Sequence, residues 1–458
     1  MNRTDRQKWQ RTTKAGSEIK MSLGKAPTQG HSRMLATALT VLVFIHLTLI
    51  PEKNIAGKGT HAFFTIAMAD KFSTAAILVV SIMALVSLSR PKTRLIFAIL
   101  VPATFLTLGF FISLFDGGTS VVPLFSYLLI AVSGSLAGYY LSRFNLEWVR
   151  IVLIGAAVSG AIFAVYQYAA DSTFPYSMTG LRGFNDAAGG RINRALGLTG
   201  EPLSTGTIMM VGLLCTAGWS KSSLWLWSTR AVLVAGLAAT FSRGSLFAGI
   251  LGAGLLIVLS TRFRWPAKAL QLTLMALAAW IAVAAVPVIA IRVLRTDDAS
   301  YTVRVGVLGE IGSAISARVF DPIFGSGAGT NVDIRSFFGT PLDNGYLDIL
   351  VNWGLVGLIA FAISILSSWR LFRSQKQWIY VSLFAVLANG LTYEFTHYSS
   401  AGFLFFFTVA ACQGALEEGI SIPKRSLHFR TPHLHHSLNK SSFPSYPPIP
   451  IKRHGEHQ

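Results

Sequence analysis

The chain has 458 residues, 52% of them hydrophobic and only 13% charged, with a mean hydropathy of +0.53. A water-soluble chain carries roughly a quarter charged residues, so an ordinary soluble protein is excluded. The formal net charge of +19 does not indicate nucleic acid: the lysines and arginines sit mostly in the termini and in short turns beside apolar runs, as the positive-inside bias requires.

Those apolar runs are about 17–25 residues long, enough to cross a hydrocarbon core of roughly 30 Å at 1.5 Å per residue. The short alternating strands of a membrane β-barrel do not occur in the sequence. The expected fold class is therefore all-α, a polytopic transmembrane helical bundle of about twelve spans.

In chain order, residues 1–33 form a basic arm (Arg3, Arg6, Lys8, Arg11, Lys14) expected to be disordered and cytoplasmic. The arm lacks the order of a cleavable signal. The transmembrane domain covers 34–417, with spans expected at 34–50, 72–88, 95–113, 121–141, 148–169 and 203–218. Six more are expected at 224–241, 245–260, 269–293, 346–367, 378–394 and 400–416. With the N-terminus inside, the basic turns at 90–94, 262–268 and 370–376 all fall inside. The outer turns are then 114–120, 170–202, 242–244 and 294–345, the last a long loop between spans 9 and 10. Residues 418–458 are rich in Pro, Ser and His, a composition expected for a disordered tail, here basic and cytoplasmic. The tail histidines (His433, His435, His436) read as solvated rather than metal-binding. His46, within the first span, reads as a packed helix residue. Cys215 and Cys412 lie in apolar runs, so neither a disulfide framework nor a metal-ligand spacing is expected.

Candidate chemistry gathers on the outer side. Arg243 stands in an abrupt turn, Phe241-Ser242-Arg243-Gly244, between two apolar segments. An arginine at a span end can simply snorkel to the headgroups. Here it lies on the side where arginine is depleted, and a guanidinium at the membrane boundary suits bidentate phosphate binding. Arg304 and Arg318 lie in the long loop, and Arg191 and Arg194 in the 170–202 loop, all as further cationic contacts. Asp343-Asn344-Gly345 stands where the long loop returns to the membrane. The run can serve as a turn or helix cap. It can also present Asp343 as a general base whose pKa partial burial would raise. Glu394 and His397 read as a structural helix-end pair. Gly325-Ser326-Gly327-Ala328-Gly329 follows no buried strand, and neither a P-loop nor a Rossmann pattern is present. The spans hold very few charged residues, which weakens an ion-coupled transporter.

Four segments in order carry a family resemblance. They are Phe241-Ser242-Arg243-Gly244, Arg304, Pro322-Ile323-Phe324-Gly325-Ser326-Gly327, and the run from Asn344 to Gly357 that includes Asn352-Trp353-Gly354. Over roughly residues 190–370 the chain resembles the O-antigen ligase/polymerase superfamily of bacterial membrane proteins. The resemblance implies an inverting, metal-independent glycosyltransferase of the bacterial inner membrane, multi-pass, with the loops 170–202 and 294–345 in the periplasm. It implies no cofactor. Its partners would be an undecaprenyl-pyrophosphate-linked glycan donor, an acceptor, and other polysaccharide export components. Arg243 and Arg304 would hold the pyrophosphate, with Asn344 among the substrate-binding residues. The family's ligases carry a histidine just before that Asn, whereas this chain has Asp343. The departure favours a polysaccharide polymerase over a ligase, and Glu201 stands where Asn is more typical. Three readings stay open: polymerase, ligase, and a transporter of lipid-linked glycan.

Overall fold

The structure, a computed structural model, describes residues 29–48, 94–115, 121–170, 172, 174–175, 194–219, 223–260, 264–285, 299–317, 320–327, 344–374, 376–393 and 399–421. Every regular element among them is helical. The α-helices are α1 (Gln29–Thr48), α2 (Arg94–Phe115), α3 (Val121–Phe144), α4 (Leu146–Ala169), α5 (Pro202–Cys215) and α6 (Ser223–Thr240). They continue as α7 (Arg243–Leu259), α8 (Trp265–Ala285), α9 (Ala299–Ser316), α10 (Gly345–Leu366), α11 (Gln377–Gly390) and α12 (Ser399–Ser421). A short 3₁₀ turn, Trp369–Arg373, joins α10 to α11. These twelve are not the twelve expected spans: the 72–88 span lies outside the described residues, and α9 lies within the expected long loop.

Four stretches are long and apolar enough to cross a membrane: Arg94–Ile112, Leu146–Ala169, Gly345–Phe372 and Ser400–Glu417. Several shorter helices are equally apolar. Outward faces are apolar too, with Phe110, Phe111, Leu224, Trp227, Phe247, Leu270 and Leu274 exposed. A helix that is hydrophobic all round suits lipid rather than water.

The core forms around α12, 94% of whose apolar window is buried. Phe405 stacks on Phe361 at 5.0 Å, and the His46 ring lies 4.3 Å from Phe403, so that histidine is packed as expected. Both cysteines are buried and unbridged. The backbone of α3 meets α12 where a Cβ on Gly138 would overlap the Phe407 backbone. Small residues permit such close helix approaches. Gly138→Leu is expected to destabilise the protein by about 1–3 kcal/mol, as overpacking does. Thermal unfolding of the detergent-purified protein measures it.

Among the described residues, cations bond carbonyls at or near helix C-termini at one end of the bundle. Arg150 Nη2 donates to the Ala217 carbonyl at 3.4 Å, and Arg230 donates to Thr216 through Nε and Nη2. Lys268 Nζ donates to the Val258 carbonyl at 2.7 Å. Arg94 reaches Ser367 and Gln413, and Lys376 reaches the Ala415 carbonyl. Positive charge at a helix C-terminus compensates the dipole and the unpaired carbonyls there. Basic turns far apart in sequence thus gather at one end.

Candidate functional site

The opposite end collects the Arg243 junction, the 194–200 loop and the start of α10. Thr240 closes α6, Phe241 takes a left-handed φ of 50°, and Arg243 opens α7. The reversal is that tight because the junction is packed. The Ala195 N–H donates to the Ala239 carbonyl at 3.1 Å, and Arg194 Nε donates to the Thr240 carbonyl at 3.2 Å. A Cβ on Gly206 would lie 2.8 Å from Ser242 Cβ, and Gly244 abuts Asn389 and Thr392. Asn389 Nδ2 donates to Thr207 Oγ1 at 2.7 Å, and the Ser204 and Tyr393 hydroxyls share a hydrogen bond of 2.7 Å. Asn344 Nδ2 donates to the Leu391 carbonyl at 3.2 Å. Five stretches distant in sequence therefore meet.

The 194–200 loop has no ladder to satisfy its backbone, and one side chain replaces it. Gln167 Oε1 accepts from the Leu196 and Gly197 N–H groups, both at 2.8 Å, while its Nε2 donates to the Gly197 carbonyl. Thr205 Oγ1 donates to the Leu196 carbonyl at 2.7 Å. Irregular backbone among apolar helices is tolerated where protein groups satisfy it in this way. The loop and the junction lie against the last turn of α4, where Gln167 holds the loop and the Tyr168 ring lies 5.7 Å from Phe241.

Three helix N-termini converge here. Glu201 caps α5, its Oε2 accepting from the Ser204 N–H at 2.6 Å. Asn344 caps α10, its Oδ1 accepting from the Tyr346 and Leu347 N–H groups. The cap reading of the Asp-Asn-Gly run is thus what Asn344 does. Ser242, the N-cap residue of α7, makes no side-chain cap bond; its hydroxyl goes to Ser245 Oγ at 2.9 Å. The first N–H groups of a helix carry partial positive charge and bind anions when no side chain occupies them. Arg243, exposed on the first turn of α7, adds a full charge at that point.

Arg194, Arg243 and Asn344 are thus linked through one contact network. Arg304 lies on α9, with only its backbone described. Arg191, Arg318 and Asp343 lie outside the described residues.

The glycine-rich turn has a structural task. Helix α10 breaks at Gly354, whose φ is 60° and ψ −166°. The 321–327 segment fills the break. Ser326 and Gly327 N–H groups donate to the Val351 and Asn352 carbonyls, both at 2.9 Å. Leu355 and Val356 N–H groups donate to the Pro322 and Ile323 carbonyls, at 2.9 and 3.1 Å. Asp321 Oδ1 accepts from Ile323 and Phe324 and sets the turn. One further feature escaped the sequence reading. Asn344, Asp348 and Asn352 stand four residues apart, hence along one face of α10. Asp348 is fully buried, and Asn352 Nδ2 donates to its Oδ1 at 2.6 Å. That spacing was visible in the sequence as the signal to look for.

No protein-family model matches the chain, and no curated protein matches it.

Proposed function

We propose that the protein polymerises undecaprenyl-pyrophosphate-linked repeat units into exopolysaccharide or O-antigen, by glycosyl transfer on the periplasmic face of the bacterial inner membrane. The observation that carries this reading is the convergence of three helix N-termini with Arg194 and Arg243, at a junction where the Ser242 hydroxyl makes no cap bond. Aligned positive dipole ends and guanidinium groups suit a diphosphate.

The chemistry follows from that cradle. An acceptor hydroxyl oxygen attacks C1 of the donor sugar from the face opposite the diphosphate. The C1–O bond breaks, and its electron pair stays on the diphosphate, where Arg243 and Arg194 stabilise the growing charge, joined by Arg304. Preorganised charge of this kind is a large catalytic contribution. Holding the hydroxyl in line is a positioning task. The hydroxyl proton passes to a base, for which Asp343 is the sequence candidate.

The transporter reading draws support from one observation, the break in α10 beside the buried Asp348–Asn352 pair. Discontinuous helices and intramembrane carboxylates mark ion and substrate sites in transporters. Against it, the 321–327 segment occupies the backbone groups that the break releases. Glycolipid analysis of a deletion strain separates the readings. Accumulation of single lipid-linked repeat units is the expected result. Accumulation of long lipid-linked polymer would identify a ligase, and units trapped on the cytoplasmic side would identify a transporter.

A further inference from the structure

We infer that an anionic phospholipid headgroup binds at the C-terminal end of α5, held by Arg230 with Arg150 behind it. The inference concerns the end of the bundle away from the candidate site and does not rest on the glycosyl-transfer reading. Two arginines from different helices converge there. Arg150 of α4 donates to the Ala217 carbonyl, and Arg230 of α6 donates to the Thr216 hydroxyl and carbonyl. One carboxylate answers them, Glu147, which pairs with Arg150 at 3.0 Å. The negative end of the α5 dipole compensates part of the remaining charge.

Donors are left over all the same. Arg150 is buried, yet its Nε has no hydrogen-bond partner among the described residues. Arg230 is half-buried and spends two of the five N–H donors of a guanidinium on Thr216. Spare guanidinium donors at a membrane boundary suit the phosphate oxygens of a headgroup.

The surroundings fit a lipid. Gly218, next to the carbonyls that hold the two arginines, is exposed, and a Cβ there would meet nothing within 4 Å. Trp225 packs edge-on against Trp219 at 4.8 Å, and the Trp227 ring lies 5.4 Å from the Arg230 guanidinium. Trp227 and Leu224 are 67% and 81% exposed. Among the described residues the exposed tryptophans are Trp225, Trp227, Trp265 and Trp369, and all of them stand beside the cations of this end. Indole rings collect at the headgroup level of a bilayer. The chain's own arm and tail are basic, so they are poor sources of the anion. A soluble anion would leave the flank of Leu224 and Trp227 in water, whereas the acyl chains of a phospholipid cover it.

The test uses full-length protein in nanodiscs of phosphatidylglycerol and phosphatidylcholine at equal mole fractions, with bromine on the acyl chains of one lipid or the other. Bromine quenches nearby indole fluorescence, and the difference between wild type and Trp227→Phe isolates the quenching of Trp227. Trp227 is expected to prefer phosphatidylglycerol over phosphatidylcholine about fivefold, the contribution of one cation beside a charged headgroup. Arg230→Gln is expected to bring that ratio close to parity, and Arg264→Gln, at the α7–α8 turn, to keep it. Equal quenching by the two lipids in otherwise wild-type protein overturns the inference, and that measurement stands even if Arg230→Gln does not fold. A preference that survives in folded Arg230→Gln overturns it as well. Loss of the preference in millimolar inorganic phosphate would show a site for a soluble anion and overturn the lipid assignment.

Discussion

Replacing Gly354 by alanine destabilises the protein by at least about 3 kcal/mol. The residue's φ of 60° and ψ of −166° lie in a region that is essentially glycine-only, and a side chain there costs about 1–3 kcal/mol. The backbone of Ile323 and Phe324 also occupies the place a Cβ would take. The 321–327 segment must then move, and four backbone hydrogen bonds across the break are lost or stretched. Each buried group left unpaired costs about 1–3 kcal/mol. Trp353, stacked on Phe105 at 4.5 Å, stands beside the break, so its fluorescence during thermal unfolding reports the change. Gly306 provides the contrast. A Cβ there meets nothing within 4 Å, and it lies inside a helix, where Gly→Ala is neutral or stabilising by about 0.5–1 kcal/mol. A Gly354→Ala protein that unfolds at the wild-type midpoint would show that the break is not what holds α10 and the 321–327 segment together.

That break also marks where the sequence stops being readable. The expected spans at 148–169 and 346–367 agree with α4 (Leu146–Ala169) and α10 (Gly345–Leu366) to within two residues at each end. Apolar runs bounded by charge define such helices with no reference to the rest of the chain. The interruption at Gly354 has no such local signal, because an apolar run can carry a glycine without breaking. It depends on carbonyl and N–H partners some thirty residues upstream. The 194–200 loop is similar: its backbone is satisfied by Gln167, about thirty residues away, and by Ala239. Arg243 was legible as a candidate because it broke the charge bias, and Arg194 as one cation among several in a loop. That Arg194 bonds the Thr240 carbonyl, three residues before Arg243, follows only from the packing of α5 between α4 and α7. α9 was missed because glycines and polar residues break up its apolar pattern, leaving no long run of the kind that identified the spans.

Arg243→Ala is expected to lower the rate of glycosyl transfer about 10²–10³-fold, the loss usual when one preorganised charge donor is removed from a developing oxyanion. Initial rates with reconstituted protein and the lipid-linked pool from a deletion strain measure it. Arg243→Lys is expected to recover only part of the rate. A lysine restores the charge but not the planar pair of donors that grips a phosphate in two places. Arg264, at the other end of α7's connection to α8, is exposed, and its alanine variant is expected to transfer at the wild-type rate. The helix terminus sharpens the expectation. The Ser242 hydroxyl goes to Ser245 rather than to the first N–H groups of α7, and in the proposed reading the diphosphate lies beside them and Arg243. Inorganic pyrophosphate should therefore inhibit the wild-type protein and inhibit Arg243→Ala more weakly. Ser242→Asp should lower activity as well, since an acidic cap would occupy those N–H groups and repel the diphosphate. If Arg243→Ala makes polymer of normal length at the normal rate, the cradle at the α6–α7 junction is not where the diphosphate binds.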